Sequence, residues 1–264
     1  MTIAVSWIRT VGSTRELVVC TDSRLTGYGK WDCAPKLIPL SRGDCSIAFA
    51  GSTLYAYPIL LQAVAVMKQH PRVESRAMDL MELKGHLLRV LNSMIAQLIE
   101  LPEKEDPPVE FLFSGWSWRK GAFVSWVLHF DPHISRFTHR PIRGWSGTNK
   151  AKHLSFIGDY FQDFKELLLT KLRDAGKIKD GGFDMEPFEA LRDLLRSNKH
   201  HAIGGAPQMV KVYRHSNAVP HAVYWPDKAS GKISLLGRPL LSYESSQFLL
   251  LDPDTLDVKK HALQ

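Results

Sequence analysis

Cysteine is scarce in this 264-residue chain: there are three, Cys20, Cys33 and Cys45. Their odd number and lack of C-x-x-C spacing argue against a disulfide framework and against a structural zinc site, and a reducing cytoplasm is the expected setting. No apolar run approaches the roughly 20 residues that span a bilayer, and the N-terminus lacks the basic start and long apolar stretch of a signal peptide. A membrane is therefore not an expected partner. The eleven histidines include no H-E-x-x-H, and the adjacent pair His200-His201 points in different directions on either helix or strand. "AIGGAP" has too few glycines and no following lysine for a phosphate loop. "GWSGT" is not the G-x-S-x-G elbow, because its second glycine comes one residue early, so Ser146 is not a hydrolase nucleophile on motif grounds. No metal and no organic cofactor is expected.

The charge is one-sided only in sum. Lys and Arg number 34 against 27 Asp and Glu, a formal +7, but the two signs are interspersed, which favours solubility over a polyanionic partner. The aromatic and basic stretches "GWSWRKGAF" and "HRPIRGW" have the composition of a single-strand nucleic-acid platform. An exposed hairpin turn or a subunit interface produces the same composition, and nucleic acid is not the expected partner.

Hydrophobic residues make up 44% of the chain, enough for a sizeable core, and no segment reads as disordered or repeated. Ile3 to Ile8 and Leu17 to Asp22 alternate around the turn chemistry of "TVGSTRE", which predicts a β-hairpin. "KLIPL" and "CSIAFAG" predict two further strands joined by "SRGD". Helical periods follow over Ser52 to Gln69 and Ser75 to Glu100. "LPEKEDPP" reads as a loop, not a domain linker, and the whole chain, residues 1–264, as one domain. "VEFLFSGW", "GAFVSWVLHF" and "ISRFTHRPI" form a predicted meander. Helices are expected over Lys150 to Ala175 and Glu186 to Ser197, then strands in "APQMVKVYRH", "AVPHAVYW" and "GKISLLGRPLLSYE". This order predicts an α+β fold, a four-layer αββα sandwich of two mainly antiparallel sheets flanked by helices.

Thr2 stands at the head of the first strand. A threonine hydroxyl needs a base, and the α-amino group of the same residue, with an ordinary pKa of about 7.7–8.0, serves once the residue is first in the chain. Met1 before a small residue favours removal by methionine aminopeptidase. Asp22, Ser23 and Arg24 close the second strand, Lys36 opens "KLIPL", and Ala50-Gly51 end "SIAFAG" before a helix. This series resembles proteasome β-type subunits and their bacterial relatives in the N-terminal nucleophile hydrolase family, as a divergent bacterial member.

That resemblance implies an N-terminal nucleophile fold and a threonine peptidase in a homo-oligomer, a ring or dimer, served by an unfoldase. Its substrate is a peptide or another amide. Thr2 would be nucleophile and, through its freed amine, base. Lys36 would depress the amine's pKa, Asp22 would hold Lys36 and the Thr2 backbone, and Arg24 would buttress that loop. Gly51 N–H would serve the oxyanion, and Ser146 would bond near the amine. The departures are specific. Alignment on Gly204-Gly205 puts His200 where the family has aspartate and Ile203 where it has serine. The step from Asp22 to Lys36 is about two residues short, and the first hairpin is longer. The alternatives are an amidase for a small molecule and a catalytically silent scaffold or binding protein that keeps Met1.

Overall fold

The computed structural model describes residues 2–27, 29–99, 109–142, 153–178, 182–215, 217–244 and 248–260. Alternation in the first two strands produces the predicted hairpin, β1 (Ile3–Val11) and β2 (Thr14–Thr21). Among the described residues, the short strands β3 (Leu25–Thr26) and β4 (Lys30–Trp31) pair with each other alone. Then come β5 (Leu37–Pro39), β6 (Cys45–Gly51), α1 (Thr53–Gln69), the one-turn α2 (Pro71–Glu74) and α3 (Leu80–Ile95). Asp79 caps α3 by accepting from Met81 N at 2.9 Å, which starts this helix five residues later than periodicity suggests. The meander is β7 (Val109–Ser117), β8 (Ala122–Asp131) and β9 (Arg136–Pro141).

Where one helix is expected over Lys150 to Ala175, the chain first makes a strand, β10 (Leu154–Gly158), and only then α4 (Phe161–Asp174). The remaining elements are α5 (Glu186–Arg196), β11 (Gln208–Tyr213), β12 (Asn217–Tyr224), β13 (Ile233–Leu235), β14 (Arg238–Pro239), β15 (Leu249–Leu251) and β16 (Val258–Lys260).

Nine strands form the largest sheet, in the order β10-β1-β2-β11-β12-β13-β14, with β15 parallel to β12 and paired in turn with β16. A second sheet runs β5-β6-β7-β8-β9, and β3-β4 is a third. The expected αββα sandwich of two sheets is therefore corrected. The described residues form a mostly antiparallel β structure with three sheets and five helices, 38% strand against 27% helix. Turn chemistry explains the excess: the stretch after Gly204 is cut into six short strands, and the piece after Arg24 makes its own two-stranded ribbon.

Period-two alternation splits the strands between cores. Ile3, Val5 and Trp7 of β1 bury themselves with Val18, Cys20 and Met209 against Phe164, Leu168, Phe188 and Leu191. Ala4, Leu17, Val19 and Val210 join Ala48, Ala50, Leu112 and Val127 of the second sheet. The other side of that sheet, including Phe49, Phe111 and Phe113, packs with Leu60, Leu83 and Leu87. Among the described residues no helix is long and apolar enough to cross a membrane.

Candidate active site at the head of β1

Thr2 sits at the point where three connections converge, and it is 1% exposed. The side chain of Lys36, entirely buried, donates from Nζ to Thr2 Oγ1 at 2.9 Å and to Asp22 at 2.9 Å (Oδ1) and 3.1 Å (Oδ2). Asp22 is also entirely buried and lies just past the end of β2, opposite the start of β1. Its Oδ1 accepts from Ile3 N at 3.3 Å; its Oδ2 accepts from Arg24 N at 3.0 Å and Gly204 N at 3.2 Å. Every acceptor direction of the carboxylate is thus occupied.

That saturation decides the state of the pair. Burial pushes the Lys36 ammonium below, and the Asp22 carboxyl above, their ordinary ranges, while each partner pulls the other back. At this separation, in the effective dielectric that suits protein sites, the attraction is about 6 kcal/mol. Desolvation costs several kcal/mol per ion. Against that cost, three backbone N–H groups add to the lysine's contribution in favour of the ionic form.

Arg24 holds the outside of this loop. Its guanidinium engages Asp32 in a two-pronged pair at 2.6 and 2.9 Å and donates to the Ile203 carbonyl at 2.9 Å. The Asp32 bond raises the Arg24 pKa, and Arg24 lowers that of Asp32. The Gly204-Gly205 turn fits against it: a Cβ on Gly204 would lie 2.3 Å from the guanidinium carbon. Ile203, the residue in place of a family serine, thus takes part through its carbonyl. His200 lies apart, stacked at 3.9 Å on Tyr160, with Nε2 3.5 Å from Asp163.

The first two residues of β5's approach are fixed by a side chain that sequence reasoning missed. Gln208, fully buried at the start of β11, accepts Lys36 N and Leu37 N at 3.1 Å each through Oε1. Its Nε2 donates to the carbonyls of Asp22 at 3.1 Å and Ala34 at 2.7 Å. One amide therefore ties the lysine segment to the aspartate segment. Its only sequence signal is a polar residue at a strand entrance after "GGAP".

Asp159 was also missed. It follows β10, and its N–H donates to Thr2 O at 2.9 Å while its Oδ2 accepts from Thr2 N at 3.3 Å. A Cβ on Gly158 would lie 1.9 Å from Thr2 O and 3.2 Å from Ala50 Cβ, which puts the end of β6 beside the head of β1. Gly51 itself takes φ +104° before α1. Ser146 lies outside the described residues. The structure therefore brings together Thr2, Asp22, Arg24 and Lys36, adds Gln208 and Asp159, and sets the Ala50-Gly51 corner nearby. No group of three or more His, Cys, Asp or Glu side chains gathers for a metal among the described residues.

The arrangement can hold a hydroxyl oxygen against a buried ammonium, which favours development of negative charge on that oxygen. No family model and no curated protein matches the chain.

Proposed function

We propose that the protein hydrolyses amide bonds through Thr2, as a threonine peptidase of the N-terminal nucleophile type. One observation carries the reading: Lys36 Nζ stands 2.9 Å from Thr2 Oγ1 and 2.9 Å from Asp22 Oδ1, with all three residues buried. A buried lysine between a carboxylate and a threonine hydroxyl is costly to maintain for structure alone, since an apolar replacement of similar volume is often neutral or stabilising.

The reading requires that Thr2 become the first residue. Its amine then takes the hydroxyl proton as Oγ1 attacks the carbonyl carbon, and Lys36 stabilises the developing alkoxide. Gly51 N–H is assigned to the carbonyl oxygen of the tetrahedral intermediate. Collapse breaks the C–N bond and passes the proton to the leaving amine. The resulting ester on Thr2 is opened by water, whose proton goes to the same amine; a carboxylic acid leaves and Thr2 is restored. Asp22, Arg24 and Gln208 act by holding Lys36 in place. A homo-oligomer and an unfoldase partner belong to the same proposal and rest on the resemblance alone; a cytoplasmic location belongs to it as well and rests on the three cysteines, odd in number and without C-x-x-C spacing.

The test is intact mass of the native protein before and after an epoxyketone probe. Loss of Met1 with a single adduct, absent in Thr2→Ala, is expected. A retained Met1 with no adduct overturns the reading and favours a silent scaffold.

A further inference from the structure

Resting on the Thr2 reading, we infer that Asp159 is the positioning residue for the Thr2 nitrogen, which it holds in place and, once that nitrogen is a free amine, holds as a cation. Asp159 would thereby set the pH above which the protein acts.

Three features of the backbone fix this carboxylate. β10 pairs with β1 as far as Ile3 opposite Gly158, and there the chain must pass so close to Thr2 O that no side chain fits. Gly158 adopts φ +94° and Tyr160 φ +63°. A tyrosine in the left-handed region costs on the order of 1 kcal/mol or more and persists only where its surroundings enforce it. Tyr160 is enforced by its stack on His200 and by its place at the start of α4. Between these two turns Asp159 has one arrangement: N–H toward Thr2 O, Oδ2 toward Thr2 N. Thr2, the residue just before β1, is clasped through both its N–H and its carbonyl.

Among the described residues, these charged groups lie around Thr2. Lys36 approaches from the hydroxyl side. Asp22 accepts five hydrogen bonds from four donor groups, and Arg24 is committed to Asp32 and to carbonyls. Asp163, in the first turn of α4, is paired with Lys199. Asp159 is exposed and already accepts from Thr2 N, so among the described residues it is the carboxylate placed to meet an ammonium at Thr2. Lys36 favours the neutral amine and Asp159 the protonated one, and the balance sets the base's pKa. Because Asp159 is exposed, its influence is limited to about one pKa unit.

The experiment uses the full chain and two readouts across pH 5.5–9: the rate of epoxyketone adduct formation, and acetylation of the Thr2 amine by brief acetic anhydride treatment, both read by mass. Asp159→Asn keeps the bond from Thr2 N but removes the charge. Its acid limb and its acetylation midpoint are expected to move to lower pH, with adduct formation up to about tenfold faster than wild type near pH 6. Asp159→Ala is expected to move the midpoint similarly and also to slow adduct formation on the high-pH plateau, because the clasp is lost. Unmoved midpoints in both variants, with Met1 absent and wild-type adduct formed, overturn the role of Asp159 and leave the Thr2 reading intact. A chain that retains Met1 overturns both.

Discussion

At the scale of single residues, the site turns on one asymmetry of buried charge: keeping both members of an ion pair is tolerable, and keeping one is not. Lys36→Met leaves the Asp22 carboxylate buried with backbone donors alone. Asp22→Asn leaves the Lys36 ammonium beside an amide. Each is expected to lower stability by about 3–5 kcal/mol, and the double variant to lose clearly less than their sum, measured by denaturant unfolding. Strictly additive losses would show that the two do not act as a pair. With Lys36 gone, the already raised Asp22 carboxyl rises further, so the Lys36→Met deficit is expected to shrink between pH 7.5 and 5.5. Lys36→Met is also expected to slow adduct formation by about 10²–10³, the effect of losing one preorganised electrostatic partner. Retention of the wild-type rate would remove Lys36 from the mechanism.

At the scale of elements, the decisive feature is the turn between β10 and α4, and it is where sequence reasoning went astray. Ile157, Tyr160, Phe161, Phe164, Leu168 and Leu172 fit a helical period closely enough to hide a five-residue strand in front of the true helix. Apolar residues spaced for burial do not say which side of a glycine is extended. The strand is selected by pairing with β1, a contact between residues about 150 positions apart, and no local pattern encodes that. Thr2, Asp22 and Lys36, which the structure brings together, were singled out by the order of strand-end motifs that carries the resemblance and not by any local pattern of their own. Asp159 and Gln208 were not, because their partners lie 157 and at least 171 residues away. The glycine at this turn supplies the test. Gly121→Ala places a Cβ at φ +59° with nothing within 4 Å, so it pays only the left-handed penalty of about 1 kcal/mol. Gly158→Ala adds a collision at 1.9 Å with Thr2 O, and is expected to cost about 3 kcal/mol or more and to abolish adduct formation. Equal unfolding midpoints for the two variants would mean that β10 does not press on the head of β1.

At the scale of the whole molecule, the nine-stranded sheet that carries Thr2 also carries buried polar groups on the face it turns to α4 and α5. Glu16 on β2 accepts ion pairs from Arg9 on β1 and Lys211 on β11, both at 3.0 Å. Beside them His221 on β12 is 1% exposed. Its Nδ1–H donates to the Val219 carbonyl at 3.1 Å, and its Nε2 has no hydrogen-bond partner among the described residues. Burial first, and then Lys211, push its pKa down to about 4, against the opposing pull of the Val219 carbonyl and Glu16. His153, near Ser125, is likewise pushed down to about 4 by burial and Arg15. A histidine with a depressed folded pKa takes up its proton on unfolding. Stability is therefore full above pH about 6.5 and falls as pH drops toward 4, by at most about 3 kcal/mol for each ring. Carboxylates held low, such as Glu16, lose their contribution only below pH about 4.5. Asp22 and Glu189, raised by burial, act in the opposite sense and blunt the slope equally in wild type and variant. His221→Leu, similar in volume, isolates the one ring. Between pH 7.5 and 4.5 wild type is expected to lose about 2–3 kcal/mol more than this variant in denaturant unfolding. Parallel losses would mean that His221 meets solvent in the folded chain, and that the helix-facing side of the nine-stranded sheet is not closed to water.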